Sequence, residues 1–269
     1  MPAFSEQKIV VICDFSERMI DVIAHGARMA EILNKELCLV ALWKDKKQKS
    51  RVHEKISATT RTLKSNLPNQ TISCLLLQGT LQENMGKLAE SYHAILIILH
   101  QADIKAGLKA FRESTIAFLF VNGKSPEFLT YKNVLVPVDF RKASKEATLW
   151  ASYLGRFNRS LVHLVYAHET NSDQAAAIMQ NLSFMQKLLS NLKVSFEFSE
   201  GKSGSWGIFG ETLREAATWK GDVMIFAGST YISLIDRMIG LPEEKIVKRA
   251  GLLPILIINP LREVCVLCD

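Results

Sequence analysis

The sequence predicts an α/β protein made of two tandem doubly wound domains, and three observations lead to this fold class. The chain of 269 residues suits two ordinary domains, since single cores tend to split before about 250 to 300 residues. Residues 8–43 match residues 133–168 at a constant offset, which indicates a duplicated unit. Near-continuous apolar runs alternate with helical patterns, which is typical of a parallel sheet covered on both faces. The predicted domains are residues 1–131 and 132–269.

Each copy opens with an apolar strand that ends at an Asp-Phe pair, followed by an amphipathic helix and a second apolar strand. The pairs are Asp14–Phe15 and Asp139–Phe140. Three more strands follow in each copy, and the third ends in glycine while a proline precedes the fifth. These strands are predicted at residues 71–79, 94–100 and 127–130 in the first copy, and at 194–201, 222–228 and 255–258 in the second.

The carboxyl ends of these strands are where a ligand is expected. In doubly wound sheets, ligands lie beyond the strand ends at the point where the strand order reverses. Asp14 and His100 would lie there in the first copy, and Asp139 and Gly228 in the second. Each aspartate has two interpretations that the sequence leaves open: a ligand contact, or a cap on its own turn. For His100, a polar cap on the strand end is favoured.

The second copy carries the residues on which a family resemblance rests. These are the segment VPVDF at 136–140, the helix alanines, the strand-end glycines and the terminal segment KIVKRAGLLPILIINP; the single residues are Ala143, Ala147, Ala151, Gly201 and Gly228. The chain thus resembles the universal stress protein family in its tandem two-domain form. The resemblance implies a Rossmann-like (adenine nucleotide alpha hydrolase-like) five-stranded parallel sheet in each domain, with ATP at the strand ends in the nucleotide-binding members.

Nucleotide-binding members of that family carry a glycine, two residues, a second glycine, nine residues, and a third glycine followed by Ser or Thr. Glycines let backbone N–H groups approach phosphate closely. Here Gly228 and Gly240 resemble the first and third glycines, whereas Tyr231 and Leu241 stand where a glycine and a hydroxyl belong. A degenerate nucleotide site is therefore predicted in the second domain, at Pro137, Val138, Asp139, Gly228, Ser229, Thr230 and Gly240. No cofactor is certain, and ATP or AMP is the candidate there.

Two further segments have open interpretations. The glycine-rich stretch 201–211 could close over a ligand with Lys202 facing an anion, but a flexible connection with Trp206 packed on the sheet is favoured. Cys265 and Cys268 form a CxxC pair near the end of the chain, for which a packed tail is favoured over a metal or redox role.

Composition argues against other classes. The densest basic stretch, residues 44–55 in a chain of formal charge +6, lacks interleaved aromatics, so no nucleic-acid partner is expected. No apolar run approaches the roughly 20 residues that cross a bilayer and the start has no signal-peptide core, so no membrane is expected. Cys13, Cys38 and Cys74 lie in apolar runs, as buried thiols do in a reducing compartment. The predicted location is the cytoplasm.

The predicted function is a stress-response binding or interaction module that is not an enzyme, since no acid and base pair is visible. The unpaired edges of the fifth strands are expected to mediate self-association, as a homodimer or an intramolecular pseudo-dimer. The alternative is an ATP- or AMP-binding switch that uses the second domain only.

Overall fold

The computed structural model describes residues 7–123, 129–228 and 242–260. These residues form two compact units, the first spanning 7–123 and the second spanning 129–228 with 242–260. The chain passes from one unit to the other between residues 123 and 129, a few positions before the predicted boundary at 131/132. The CxxC pair, Cys265 and Cys268, lies outside the described residues.

The first unit is a five-stranded parallel sheet with the order β3-β2-β1-β4-β5. Its strands are β1 Lys8–Cys13, β2 Glu36–Trp43, β3 Ile72–Gln78, β4 Ala94–His100 and β5 Ala117–Val121. Its helices are α1 Met19–Leu33, α2 Lys46–Asn66, α3 Met85–Glu90 and α4 Ile104–Phe111. Because parallel crossovers are right-handed, the reversal of strand order at β1 and β4 sends helices to both faces of the sheet.

The second unit repeats this topology with the order β8-β7-β6-β9-β10, again all parallel. Its strands are β6 Asn133–Val138, β7 Leu161–Tyr166, β8 Phe196–Glu200, β9 Val223–Ala227 and β10 Ile255–Ile258. Its helices are α5 Ala147–Asn158, α6 Ser172–Asn191, α7 Ile208–Arg214 and α8 Pro242–Arg249. The predicted doubly wound fold and its duplication are confirmed.

Local sequence explains most of these elements. All seven residues of β4 and all five of β9 are buried, as expected for central strands covered by helices on both faces. α6 begins where the Asn171 side chain accepts hydrogen bonds from two backbone amides of its first turn. α1 and α5 both end at a residue in the left-handed conformation, Asn34 and Arg159. The first helix of each copy therefore ends in the same way.

The fifth strand of the first unit differs from the prediction. It is β5, Ala117–Val121, and not residues 127–130. Leu129 and Thr130 lie in a turn, whereas residues 127 and 128 fall outside the described ranges. The prediction used a proline as its guide, but burial decides the strand, because every residue of β5 is inaccessible to solvent. Association through the fifth strands stays a prediction, with β5 in place of 127–130.

The cysteines of the first unit are free thiols within the sheet. Cys13 and Cys38 are buried and Cys74 is half-buried. Burial raises the pKa of Cys13 to about 12 and that of Cys38 to about 11, so both thiols stay protonated and unreactive.

Among the helices of the described ranges, none is both long and apolar enough to span a membrane.

Candidate ligand-binding site

A cleft of about 600 Å³ opens in the second unit at the carboxyl ends of β6 and β9. Five segments line it: the residues after β6, the end of β9, the loop between β8 and α7, helix α7 itself, and helix α8. The strand order reverses between β6 and β9, which is where ligands of doubly wound folds lie. The cleft therefore occupies the predicted place in the fold.

The cleft begins where β6 and β9 part. Their ladder stops at the pair Leu135 and Met224, although both strands continue towards their carboxyl ends. Asp222 N donates to Asn133 O, so the odd-numbered positions of β6 direct their backbone groups towards β9. Pro137 is the next odd position after Leu135, and it has no N–H to donate. A proline in β6 thus accounts for the early end of the ladder.

Asp139, the first residue after β6, is 2% exposed and is engaged within its own turn. Its Oδ1 accepts from Arg141 N at 2.9 Å and its Oδ2 from Arg141 Nε at 2.6 Å. Burial raises the pKa of the Asp139 carboxyl, and the Arg141 guanidinium opposes that rise. Asn181 Nδ2 donates to the carbonyls of both residues at 3.0 Å. The geometry agrees with the turn-cap interpretation, and a ligand contact by Asp139 stays a prediction.

The backbone donors at this edge are also used internally. Asp139 N donates to Ser144 Oγ at 3.1 Å, and Phe140 N donates to Ser205 Oγ at 3.4 Å. Gly228 N donates to the carbonyl oxygen of Ile258 at 2.9 Å, which extends the β9–β10 ladder by one bond. These three N–H groups are not available to a phosphate in this arrangement.

The other predicted site residues have different outcomes. Pro137 and Val138 are buried in β6, and the Val138 carbonyl accepts from Ala167 N at 3.0 Å in the β6–β7 ladder. Three further residues of the predicted site, Ser229, Thr230 and Gly240, lie outside the described residues, as do Tyr231 and Leu241.

Cationic side chains that the sequence analysis did not single out line the cleft. They are Arg141, Arg214, Lys245 and Arg249. Arg141 pairs with Asp139, whereas no described carboxylate lies within 4.0 Å of the other three charged groups. Glu243 is the second acid of the lining and is buried. Lys245 and Arg249 are one helical turn apart on α8, a spacing that could have been read from the sequence.

Aromatic side chains form another part of the lining. The rings of Phe140 and Trp206 meet edge to face, with centroids 6.4 Å apart. The Arg141 guanidinium lies 5.4 Å from the centre of the Phe209 ring, which itself contacts Phe226 at 5.3 Å. Trp206 is 89% exposed, so the favoured interpretation that it packs on the sheet was wrong. Its neighbours along the loop, Ser205 and Gly207, are held by hydrogen bonds.

The loop between β8 and α7 is fixed at several backbone positions. Glu211 Oε1 accepts from Lys202 N at 2.7 Å, and its Oε2 accepts from Ser203 N at 2.7 Å. Glu169 Oε1 accepts from Ser205 N at 2.6 Å. Lys202 itself is not part of the cleft lining. The carboxylates of Glu211 and Glu169 therefore fix the backbone of this loop, for which the sequence had favoured a flexible connection.

Glu211→Gln should destabilise the second unit by about 1 to 2 kcal/mol at pH 7, because one of two backbone donors loses its acceptor. Burial acts to raise the pKa of Glu211, but the hydrogen bonds from Lys202 and Ser203 outweigh it and the pKa is lowered. The stabilisation is present above the ordinary value of 4.5 and is lost as the pH falls through the lower folded-state pKa. Urea unfolding at pH 7 and pH 3 measures both effects.

The matched control for this prediction is Glu215→Gln. Glu215 is exposed, and its carboxylate accepts a hydrogen bond from the Thr218 hydroxyl at 3.3 Å. A destabilisation by Glu215→Gln as large as that by Glu211→Gln, or an equal cost of Glu211→Gln at both pH values, would contradict the assignment.

At the corresponding edge of the first unit, the side chains of Asp14 and His100 also cap their own turns. Asp14 Oδ1 accepts from Ser16 N at 2.9 Å, and His100 Nδ1 accepts from Ala102 N at 3.0 Å. Burial, assisted by Arg18, lowers the pKa of His100, which favours the neutral ring that can accept this bond. The favoured interpretation of His100 as a cap agrees with this contact.

No cluster of three or more His, Cys, Asp or Glu side chains suited to a metal ion occurs among the described residues.

These observations define a class: a tandem doubly wound α/β protein with a cleft at the switch point of its second unit. No protein-family model matches the sequence, and no curated protein matches it. Solved structures do match. A universal stress protein from Archaeoglobus fulgidus DSM 4304 superposes with a TM-score of 0.73 at 12% identity, over 95% of this chain and 97% of that one.

Two further solved structures show how widely the fold is shared. A putative universal stress protein from Pseudomonas aeruginosa UCBPP-PA14 has a TM-score of 0.62 at 14% identity, over 94% of this chain and 92% of that one. The cytoplasmic domain of a prokaryotic cation chloride cotransporter has a TM-score of 0.60 at 12% identity, over 97% and 98%. The chain has the tandem universal stress protein fold, as its sequence resemblance predicted.

Proposed function

We propose that the protein is a non-enzymatic binding module of stress adaptation, located in the cytoplasm, whose second unit takes an anionic small molecule that carries a flat ring. The observation that supports this proposal is the composition of the cleft. Three cationic side chains without a described ion-pair partner and an exposed indole line one cavity at the switch point of a doubly wound sheet. Cations suit an anionic group, and an aromatic surface suits a ring.

The absence of an enzymatic role is part of the proposal. The acids that line the cleft, Asp139 and Glu243, are both buried, and Asp139 is bonded to Arg141. General acid or base catalysis needs a titratable group within hydrogen-bond reach of a reacting atom. Incubation of the purified protein with ATP, followed by chromatography of the nucleotides, tests this role. Hydrolysis above the rate of a protein-free blank would contradict it.

The alternative function is a nucleotide-binding switch, for which ATP or AMP is the candidate ligand. Its support is the position of the cleft, which coincides with the strand ends where nucleotide-binding members of the family hold ATP. Side chains would replace the backbone contacts, because the three N–H groups described above are bonded within the protein. The site would then lack the backbone N–H contacts to phosphate, and its cationic side chains would bind the phosphates instead.

We expect isothermal titration to give one site per chain for ATP, with a weaker affinity for AMP because AMP carries fewer charges. Raising the salt concentration should weaken both, since exposed cations are screened. A titration that shows no binding at about 1 mM nucleotide would exclude the switch. Even weak binding, with a Kd near 1 mM and a binding free energy of about 4 kcal/mol, would occupy a large fraction of the sites at that concentration. Mass spectrometry of ligands that co-purify with the protein then tests the broader proposal.

A further inference from the structure

Trp206 is unlike the other tryptophans of the chain. Trp43 and Trp150 are buried, at 8% and 3% exposure, and Trp219 is half-buried, whereas Trp206 is 89% exposed. Exposed indole surface contributes nothing to a hydrophobic core, and large aromatics at the mouth of a cavity are typical of ligand contacts. The fold itself gives no reason for this side chain to stand in water.

The backbone that carries Trp206 is held on both sides. The preceding residue, Ser205, donates its N–H to Glu169 and accepts a hydrogen bond from Phe140 N through its hydroxyl. The following residue, Gly207, donates its N–H to Gly204 O at 2.8 Å. An aromatic ring on a fixed backbone loses little conformational entropy when a ligand covers it.

Trp206 and the three cations that have no described ion-pair partner lie on different elements of the second unit. Trp206 and Phe140 belong to the loops that follow β8 and β6, whereas Lys245 and Arg249 belong to α8 and Arg214 ends α7. α7 packs against α8, which places the three cations on neighbouring helices. We call Phe140 and Trp206 the aromatic wall of the cleft, and Arg214, Lys245 and Arg249 its cationic wall; Arg141, next to Phe140, is already paired with Asp139.

We propose that Trp206 is the stacking residue of this site, so that a bound nucleoside phosphate places its base on the indole and its phosphates against the cationic wall. The proposal rests on the proposed function, and it adds the residue that recognises the ring and the orientation of the ligand. A ligand without a ring would use only the cationic wall.

The experiment compares Trp206→Ala and Trp206→Phe with the wild type, using ATP and inorganic tripolyphosphate as probes in isothermal titration. Trp206→Ala should weaken ATP binding about tenfold, because the base loses its stacking contact with the indole. Trp206→Phe should retain most of the ATP affinity. Tripolyphosphate affinity should be unchanged in both variants, and ATP should reduce acrylamide quenching of the wild-type fluorescence but not that of Trp206→Phe.

Three outcomes would overturn the proposal. Equal ATP affinity for Trp206→Ala and the wild type would show that the base does not lie on the indole. Equal weakening of ATP and tripolyphosphate would show that Trp206 only shapes the cationic wall. Failure of both probes to bind the wild type would overturn the proposed nucleotide ligand and the stacking role together. Because Trp206 is exposed, an unchanged urea midpoint is expected for each variant and verifies folding.

Discussion

Lys245→Ala combined with Arg249→Ala is expected to weaken ATP binding by about 100-fold. Each side chain can make a charge-assisted hydrogen bond to phosphate, and a tenfold loss for each corresponds to about 1.4 kcal/mol. Both lie on the exposed face of α8 and line the cleft. Stability should change little, because neither side chain is buried. Isothermal titration at low and at moderate salt measures the effect.

Lys248 supplies the control for this double variant. It lies on the same helix and has the same charge, but it pairs with Glu244 at 2.6 Å and is not part of the cleft lining. Lys248→Ala should leave ATP affinity within about twofold of the wild type, since only a distant screened charge is removed. Equal weakening by Lys248→Ala would mean that net charge alone attracts the ligand. Unchanged affinity in the double variant would contradict the cationic wall.

Asp222→Ala should destabilise the second unit by about 3 kcal/mol. The carboxylate is 4% exposed and accepts hydrogen bonds from Thr130 Oγ1, from Lys132 N at 2.7 Å and from Asn133 N at 3.0 Å. These bonds hold the segment that leads into β6, the central strand of the unit. Removing the carboxylate leaves buried donors without an acceptor, at a cost of about 1 to 3 kcal/mol for each unsatisfied group.

Urea unfolding followed by circular dichroism measures the stability change of Asp222→Ala, and hydrogen exchange of the β6 amides locates it. Asp173→Ala is the control, because Asp173 is an exposed acid in the first turn of α6. Its effect should stay within about 0.5 to 1 kcal/mol, the usual contribution of a charge near a helix end. An Asp222→Ala variant as stable as this control would show that the carboxylate does not anchor β6.

Most of the fold could be predicted because its signals are local. The strand ends at Gly79, His100, Gly201 and Gly228 follow from apolar runs that stop at a polar or glycine residue. The fifth strand of the first unit was missed although its apolar run is equally clear, since a proline further along the chain was given more weight. In that unit burial on both faces of the sheet, and not the proline, determines which segment becomes the strand.

The position of the candidate site in the fold could be predicted from the sequence, but the hydrogen-bond partners of its residues could not. Carboxyl ends of parallel strands meet at one edge, so Asp139 and Gly228 had to lie near each other in the second unit. Whether their N–H groups face a ligand depends on partners such as Ser144 and Ile258, which pattern and spacing do not identify. The spacing of Lys245 and Arg249 could have been read from the sequence, but their meeting with Arg214 in one cleft could not, because α7 and α8 are far apart in the sequence.

By itself, the sequence determined that the chain is a duplicated, doubly wound α/β protein, and it led to the prediction of a ligand at the strand ends of the second unit. Repeats, apolar runs and the period of helices are properties of neighbouring residues, so they can be read without coordinates. Only the tertiary structure decided that the backbone donors described at that edge are occupied and that three cations and an exposed indole share one cleft. Most of those facts depend on contacts between segments tens of residues apart, such as Phe140 with Ser205 and Gly228 with Ile258, which packing alone brings together.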